Sequence, residues 1–478
     1  MGFIEGVERQ QMVMFPESLD EYIAEDNLVR FVDAFAGSLD VRALGFERSV
    51  PQETGWPPYD PRDLLKLYIY GYLNRIRSSR KLEKEAGRNV EVLWLLGKMT
   101  PDFKTLADFR RDNGDPIRGA CREFTLLCRR LGLYGGELVA IDGSKFKAGN
   151  SRERNYTQRK LKALTKQTEA KIERYLQELD ENDAQETDSE KLTKEELQEK
   201  IEWLKEHKRK YDELQQQMEE SGESQISLTD TDARSMKLGA GRGSVVGYNA
   251  QVSVDAKHKL IVDHEVTNAC NDMQQLSPMA IRAQEVLEVE SLEVVADAGY
   301  YNGKEIKECT DNGIVPYVPQ TNSSYNRQKG LYTKKDFHYD AENDCYRCPA
   351  GEALGYRRSG TNKHGQQMRH YTTKACKTCV MKSKCTRAKE GRWIQRWEDE
   401  KLLEEMAHRL RTKPDKLRQR KGIVEHPFGI IKHSMEQGYF LTRGLPKVRT
   451  EMSLTVLAYN MKRVMGLMSI EQLLTALP

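Results

Sequence analysis

The sequence predicts an α/β protein in which a mixed-sheet core follows an all-α amino-terminal domain and is interrupted by a helical insertion and a cysteine-rich one. Three observations lead there. Apolar residues recur at helical spacing through residues 1–130. Beyond them, two short β-branched runs that end in Asp142 and Asp297 read as buried strands. Between those runs, residues 158–220 turn polar, with apolar positions at alternating three- and four-residue steps. The length of 478 residues suits about three domain-sized units.

In chain order, Asp26 and Asn27 stand before Leu28-Val29-Arg30-Phe31-Val32 as a helix start, and Pro61 opens the apolar series Leu64, Leu65, Leu67, Tyr68 and Tyr70. The basic loop 74–81 within domain 1–130 presents Arg75, Arg77, Arg80 and Lys81, as a helix-turn-helix-like DNA reader would. A helical packing domain with a solvated turn is the plainer reading. Residues 131–157 hold the first strand, which carries Asp142 and ends near Ala148. Residues 158–224 are expected to fold back as an antiparallel coiled-coil hairpin. Its seam is Leu161, Leu164, Ile172, Tyr175 and Leu179 against Leu197, Ile201, Leu204, Tyr211, Leu214 and Met218, with Asp180-Glu181-Asn182-Asp183 as an acidic link.

The core resumes over 225–335. The glycine-rich run 239–244 reads as flexible backbone near DNA, lacking a phosphate-loop lysine. Residues 248–255 and 260–266 alternate as strands two and three, Met273 to Val286 forms a crossover helix, a fourth strand ends at Asp297, and 314–318 makes a fifth. Residues 336–400 are the cysteine-rich insertion, and 401–478 form helices, including the one that carries Glu425.

Two strand-end aspartates and a helical glutamate are the donors that a divalent-metal phosphoryl-transfer site needs. Breaking a phosphodiester requires an activated nucleophile, a neutralised phosphorane and a stabilised leaving oxygen, and two ions can supply all three. Three acids with no converging His suit Mg2+ or Mn2+. Singly, Asp142-Gly143 is an ordinary turn dipeptide, and Glu425 is a surface acid that can pair with Lys421 or Lys432. Their surroundings change the odds. Net charge is only +3, yet residues 401–450 hold twelve Lys or Arg against five Asp or Glu, a local balance of +7 that suits a phosphate backbone.

The order of these acids resembles the DDE transposases of bacterial insertion sequences. Their RNase H-like core carries one Asp on its first strand, one after its fourth and a Glu on a later helix, matching Asp142, Asp297 and Glu425. The family's helix motif of tyrosine, arginine, glutamate and lysine continues to Lys432, although Arg418 and Lys421 stand where tyrosine and arginine are usual. The segments 59–67, 78–83 and 105–111 are similar to the helical domain that precedes many such cores. The resemblance implies an RNase H-like sheet and a metal-dependent enzyme that cuts the terminal inverted repeats of its element. It would then join the 3′ ends to target double-stranded DNA, as a dimer. Arg418, Lys421 and Lys432 would contact DNA phosphate. The alternatives are a nuclease without strand transfer and a non-catalytic DNA-binding scaffold.

Nine cysteines in so long a chain make no disulfide framework, but five of them fall within 41 positions. Cys345-x2-Cys348 and Cys376-x2-Cys379-x5-Cys385 read as knuckles for a structural Zn2+, with four of the five as ligands and Cys345 with Cys348 the firmer pair. Cys121, Cys128, Cys270 and Cys309 read as core or near-core residues. Trp393 and Trp397, four apart, read as a helix packing face. No apolar run approaches a membrane span, and residues 1–9 lack the features of a secretory signal, so a cytoplasmic protein is expected.

Overall fold

The centre of the fold is strand β1 (Leu138–Lys147), whose first four residues are fully buried. In the computed structural model, which describes residues 18–50, 57–150, 152–184, 193–239, 241, 243–320, 325–362 and 365–477, β1 pairs antiparallel with β2 (Ser244–Asp255). β2 in turn pairs antiparallel with β3 (Ile261–Thr267). On its other side β1 runs parallel to β4 (Leu292–Val295), and β4 to β5 (Ile314–Tyr317). The sheet order is therefore 3-2-1-4-5 with β2 alone running against the other four, a topology consistent with an RNase H-like core. A short extra strand, Arg234–Lys237, shares the outer edge of β2 with β3. Residues 1–9, Ala240 and Arg242, on which sequence expectations were placed, lie outside the described residues.

The amino-terminal helices begin where their caps dictate. The Asn27 side chain accepts from the Val29 amide at 2.9 Å to start α1 (Leu28–Ser38). Asp60 does the same for Arg62 at 2.8 Å, ahead of α2 (Pro61–Leu73), where Pro61 needs no hydrogen-bond partner for its nitrogen. Shorter helices and then α3 (Gly114–Arg130) complete this part, and Cys121 and Cys128 lie buried in α3. The inserted hairpin is α4 (Gln158–Ala184) and α5 (Lys194–Ser221), with Leu161 packed on Leu214 and Met218. Lys208, the polar interruption in the seam, pairs with Glu169 across the helices at 2.7 Å. The acidic link is helical backbone whose side chains lie outside the described residues. The hairpin leaves and rejoins the core through a two-stranded ladder, Asn155–Thr157 with Gln225–Ser227.

Crossover helix α6 (Leu276–Leu287) and α7 (Gly303–Asp311) flank the parallel strands, and α8 (Asp415–Gly429) lies over β1. Helix α9 (Leu445–Met465) is buried on every side, between the amino-terminal helices and β3. A helix so enclosed must satisfy each of its polar groups. Asn460 exchanges two hydrogen bonds with the Ile261 backbone, and Ser453 meets His264 Nε2 at 2.8 Å. Glu451, with no exposed surface, accepts from the amides of Leu441 and Thr442, the Thr442 hydroxyl and Arg77. One hydrophobic core runs without a break from the amino-terminal helices through the sheet into α9. Among the described residues no helix is long and apolar enough to cross a membrane.

The cysteine-rich insertion is more than knuckles. It is a five-stranded antiparallel meander: His338–Asp340, Cys345–Arg347, Ala353–Thr361, Gln367–Thr372 and Ile394–Trp397. Its own small core is Phe337, Tyr346, Leu354, Tyr371 and Ile394. The expected helix face of Trp393 and Trp397 is thus corrected: they bracket an edge strand. Trp397 lies buried, 3.0 Å from where a Cβ on Gly303 would stand, so it seats the insertion on α7. Cys270, expected near the core, is exposed.

Removing either side of a buried ion pair strands a charge in a low-dielectric interior, at a cost of about 3–5 kcal/mol. Arg77→Ala and Glu451→Ala should each lower unfolding stability by that order in urea titrations. A double replacement with apolar residues of similar volume should cost less than either.

Candidate active site

Asp142 and Asp297 meet because of register. Leu138 faces Glu293, Val139 faces Val294 and Ala140 faces Val295 in the parallel pair. Two residues further on, β4 has ended while β1 continues, so Asp297 leaves the end of its strand beside Asp142 in the middle of β1. Asp297 caps the turn Ala298–Tyr300 and accepts from the Gly299 amide at 2.8 Å, while Asp142 accepts from Gly143 at 2.9 Å. Burial raises the Asp142 carboxyl to about 6; the Arg420 guanidinium opposes that rise, and the negative charges of Asp297 and Asp272 add to it. Loss of water and like charge both disfavour the ionised form.

Helix α8 turns Arg420 toward this pair, with its guanidinium 3.3 Å from Asp142 Oδ2. Glu425 stands on another side of the helix, its side chain 63% exposed and 3.8 Å from Lys421. Lys432 instead points inward. It donates to Ser144 Oγ at 2.7 Å and to the Lys145 carbonyl at 2.9 Å, and sits 4.6 Å from the centre of the Phe146 ring. Seven residues on a regular helix would put Glu425 and Lys432 on one face. The helix is not regular: Pro427 interrupts it, and Ile430–Ser434 widen into a π turn that rotates Lys432 onto β1. Burial, with Lys145 alongside, lowers the Lys432 amine to about 8.

The other expected DNA contacts divide. Arg418 is exposed and 3.1 Å from Asp415, Arg75 is exposed and 3.1 Å from Glu436, Arg80 covers the Phe103 ring and Lys81 is exposed. Arg77 is a correction. It is buried against Glu451 and the Tyr439 ring, and so serves the fold rather than a surface.

Sequence reading missed Asp272, Lys145, Arg420, Asn249 and Gln251, which line the same site. Asp272 Oδ1 accepts from Asn249 at 2.6 Å, Gln251 at 2.7 Å and Lys145 at 3.3 Å. Asn249 and Gln251, polar residues at alternate positions of a strand buried on both faces, were the available signal. The donors are all oxygens, and the Asn249 Oδ1 atom is buried with no hydrogen-bond partner, a set that fits a hard divalent cation. Among the described residues, no three His, Cys, Asp or Glu side chains are gathered as a ready-made metal cage.

Two family models match this chain. One, described as a transposase DDE domain, spans residues 347–465 and so takes in Arg420, Glu425 and Lys432. The other, a transposase domain (DUF772), spans residues 17–112. Together the two matches support a DDE-type transposase. The DDE domain implies use of a divalent metal in general. No curated protein matches the transposase in sequence. A solved structure, the cryo-EM structure of the piggyBac transposase synaptic complex with hairpin DNA, overlays it at 9% identity and a TM-score of 0.32, an overlay too loose to define a common fold. That overlay covers 95% of the transposase and 79% of the other chain.

In the transposase's insertion, Cys348 opens a tight turn closed by the Gly351 amide on its carbonyl. Cys348 and Cys385 pack on the same small core. Burial raises the Cys385 thiol, Arg392 opposes, and Cys376, Cys348 and Cys379 add to the rise, although among the described residues no three thiols are gathered as a metal cage. Cys345 lies buried within its strand. The strand separates the expected pair: Cys348 packs against the insertion's small core, whereas Cys345 is buried outside that cluster.

The raised Asp142 has a signed consequence. Its folded pKa lies above the ordinary aspartate value, so its contribution to stability is present below about pH 4 and is lost as pH rises through about 6. Without metal, the melting temperature of Asp142→Asn should exceed the parental value at pH 7 and converge with it near pH 4. Mn2+ should raise the parental melting temperature strongly at pH 7.5 and weakly at pH 5, where a proton competes for Asp142.

Proposed function

We propose that the transposase binds the terminal inverted repeats of its element, cuts the DNA ends by metal-dependent phosphodiester hydrolysis and joins the 3′ hydroxyls to target DNA. The observation that carries this reading is the placement of Asp142, in the middle of β1, beside Asp297, just past the end of the parallel β4, beneath a basic helix. Asp142, Asp297 and Glu425 would hold Mg2+ or Mn2+, most simply two ions, which supply an activated nucleophile and neutralise the phosphorane. Glu425, on a flexible side chain one helical turn past Arg420, would complete the set when DNA is present. Arg418, Lys421, Arg75, Arg80 and Lys81 are exposed cations suited to phosphate. Lys432 would hold the phosphate beside the scissile bond from its seat on Ser144. Two ends must be processed together, which implies a dimer.

Cys348, Cys376, Cys379 and Cys385 would hold a structural Zn2+, since four soft thiolates suit that ion. Elemental analysis should find about one zinc per chain. Cys348→Ser should lose it, whereas Cys345→Ser should keep it. Retention by Cys348→Ser would remove that residue from the set.

Asp142→Asn, Asp297→Asn and Glu425→Gln should each abolish end cleavage in Mg2+ while terminal-repeat binding by mobility shift stays within about threefold, because the basic surface is unchanged. A variant that cuts at the parental rate loses its catalytic assignment. Joining of precleaved ends to a plasmid separates a transposase that completes strand transfer from one that only cuts.

A further inference from the structure

We propose that Asp272 is a fourth acidic arm of the active site, sharing a divalent cation with Asp297. This rests on the reading that the site binds metal, and deepens it. Asp272 lies in the loop between β3 and α6, with its side chain 21% exposed. All its hydrogen bonds described above fall on Oδ1, from the fully buried Asn249 and Gln251 amides and from Lys145. Gln251 is itself held by the Tyr300 hydroxyl, which donates to its Oε1. One oxygen is thus clamped from beneath, which fixes the direction of the other.

That other oxygen faces the loop of Asp297. A Cβ on Gly299 would stand 3.8 Å from Asp272 Oδ2 and 2.9 Å from Asp297 Oδ1, so the two carboxylates flank one spot. On the β1 side, a Cβ on Gly143 would stand 2.9 Å from both Asp272 Oδ1 and Asn249 Oδ1. Asn249 is fully buried, and its Oδ1 has no hydrogen-bond partner, although its amide is committed to Asp272. A buried acceptor without a donor is costly, and like-charged carboxylates side by side repel. Both costs fall if a cation stands among these oxygens. The surrounding glycines suit it, since side chains at Gly143 and Gly299 would crowd the space. Mg2+ and Mn2+ retain several waters, so two carboxylates and an amide oxygen can hold an ion without forming a complete protein cage.

The test is Mn2+ binding by the full-length protein without DNA, with free Mn2+ counted by its paramagnetic resonance signal at pH 7.5. The parental chain should bind Mn2+, and Asp272→Asn should weaken that binding at least about tenfold, as Asp297→Asn should. Melting in chelator checks that each variant is folded; if Asp272→Asn is not, Asp272→Ser replaces it, whose hydroxyl still accepts from the two amides. Parental affinity in a folded Asp272 variant, with Asp297→Asn impaired, would overturn the proposal and leave Asp272 as a loop anchor. Failure of the parental chain to bind Mn2+ would overturn the metal reading underneath it.

Discussion

A carboxylate with no access to water must be surrounded by donors, and Glu451 obliges two other parts of this chain to supply them. Arg77 comes from the amino-terminal helices, the amides of Leu441 and Thr442 come from the turn after the Lys432 segment, and the glutamate itself belongs to α9. The same α9 is tied to β3 through Asn460 and Ser453. Geometry at this one group therefore sets the position of the helical part, the sheet and the chain leaving the site. The amino-terminal helices are part of the core that carries the strands of Asp142 and Asp297.

Within the site the balance is electrostatic. Asp142, Asp272 and Asp297 gather at one end of the sheet, and Arg420, Lys145 and Lys432 stand around them as counter-charges. Arg420 faces Asp142 where a metal would also draw close, so the protein has an internal substitute for part of the cation's role. Lys432 is lowered by burial beside Lys145, and Asp142 is raised by burial beside two acids. These opposite displacements share one cause: too little water for the charge that the site concentrates.

Much of this was legible in the sequence, because the signals were local. The strand runs that end at Asp142 and Asp297, the caps at Asn27 and Asp60, and the seam of the hairpin all follow from periodicity and turn chemistry. What escaped depended on contacts across the fold. Arg77 looks like any loop cation until Glu451, 374 positions later, is placed against it. Asp272 acquires meaning only when register sets Asn249 and Gln251 against it. The phase of Lys432 escapes counting along the helix because that count assumes a constant turn, and the π turn at Ile430–Ser434 breaks it. The five-stranded meander was hidden by its cysteines, which drew the reading toward knuckles and away from the alternation of Tyr346, Leu354 and Tyr371 in its core.

The two-stranded ladder at the foot of the helical hairpin separates the arm from the core. Asn155–Thr157 and Gln225–Ser227 pair directly with each other, so the 28-residue helix α5, about 42 Å long, and its partner form a loop closed at its base. Strand β1 hands over to that base and β2 takes the chain back, whatever lies between. Lengthening or trimming the arm by whole repeats would change its reach, like a boom of adjustable span, without moving β1 against β2 or the acids they position.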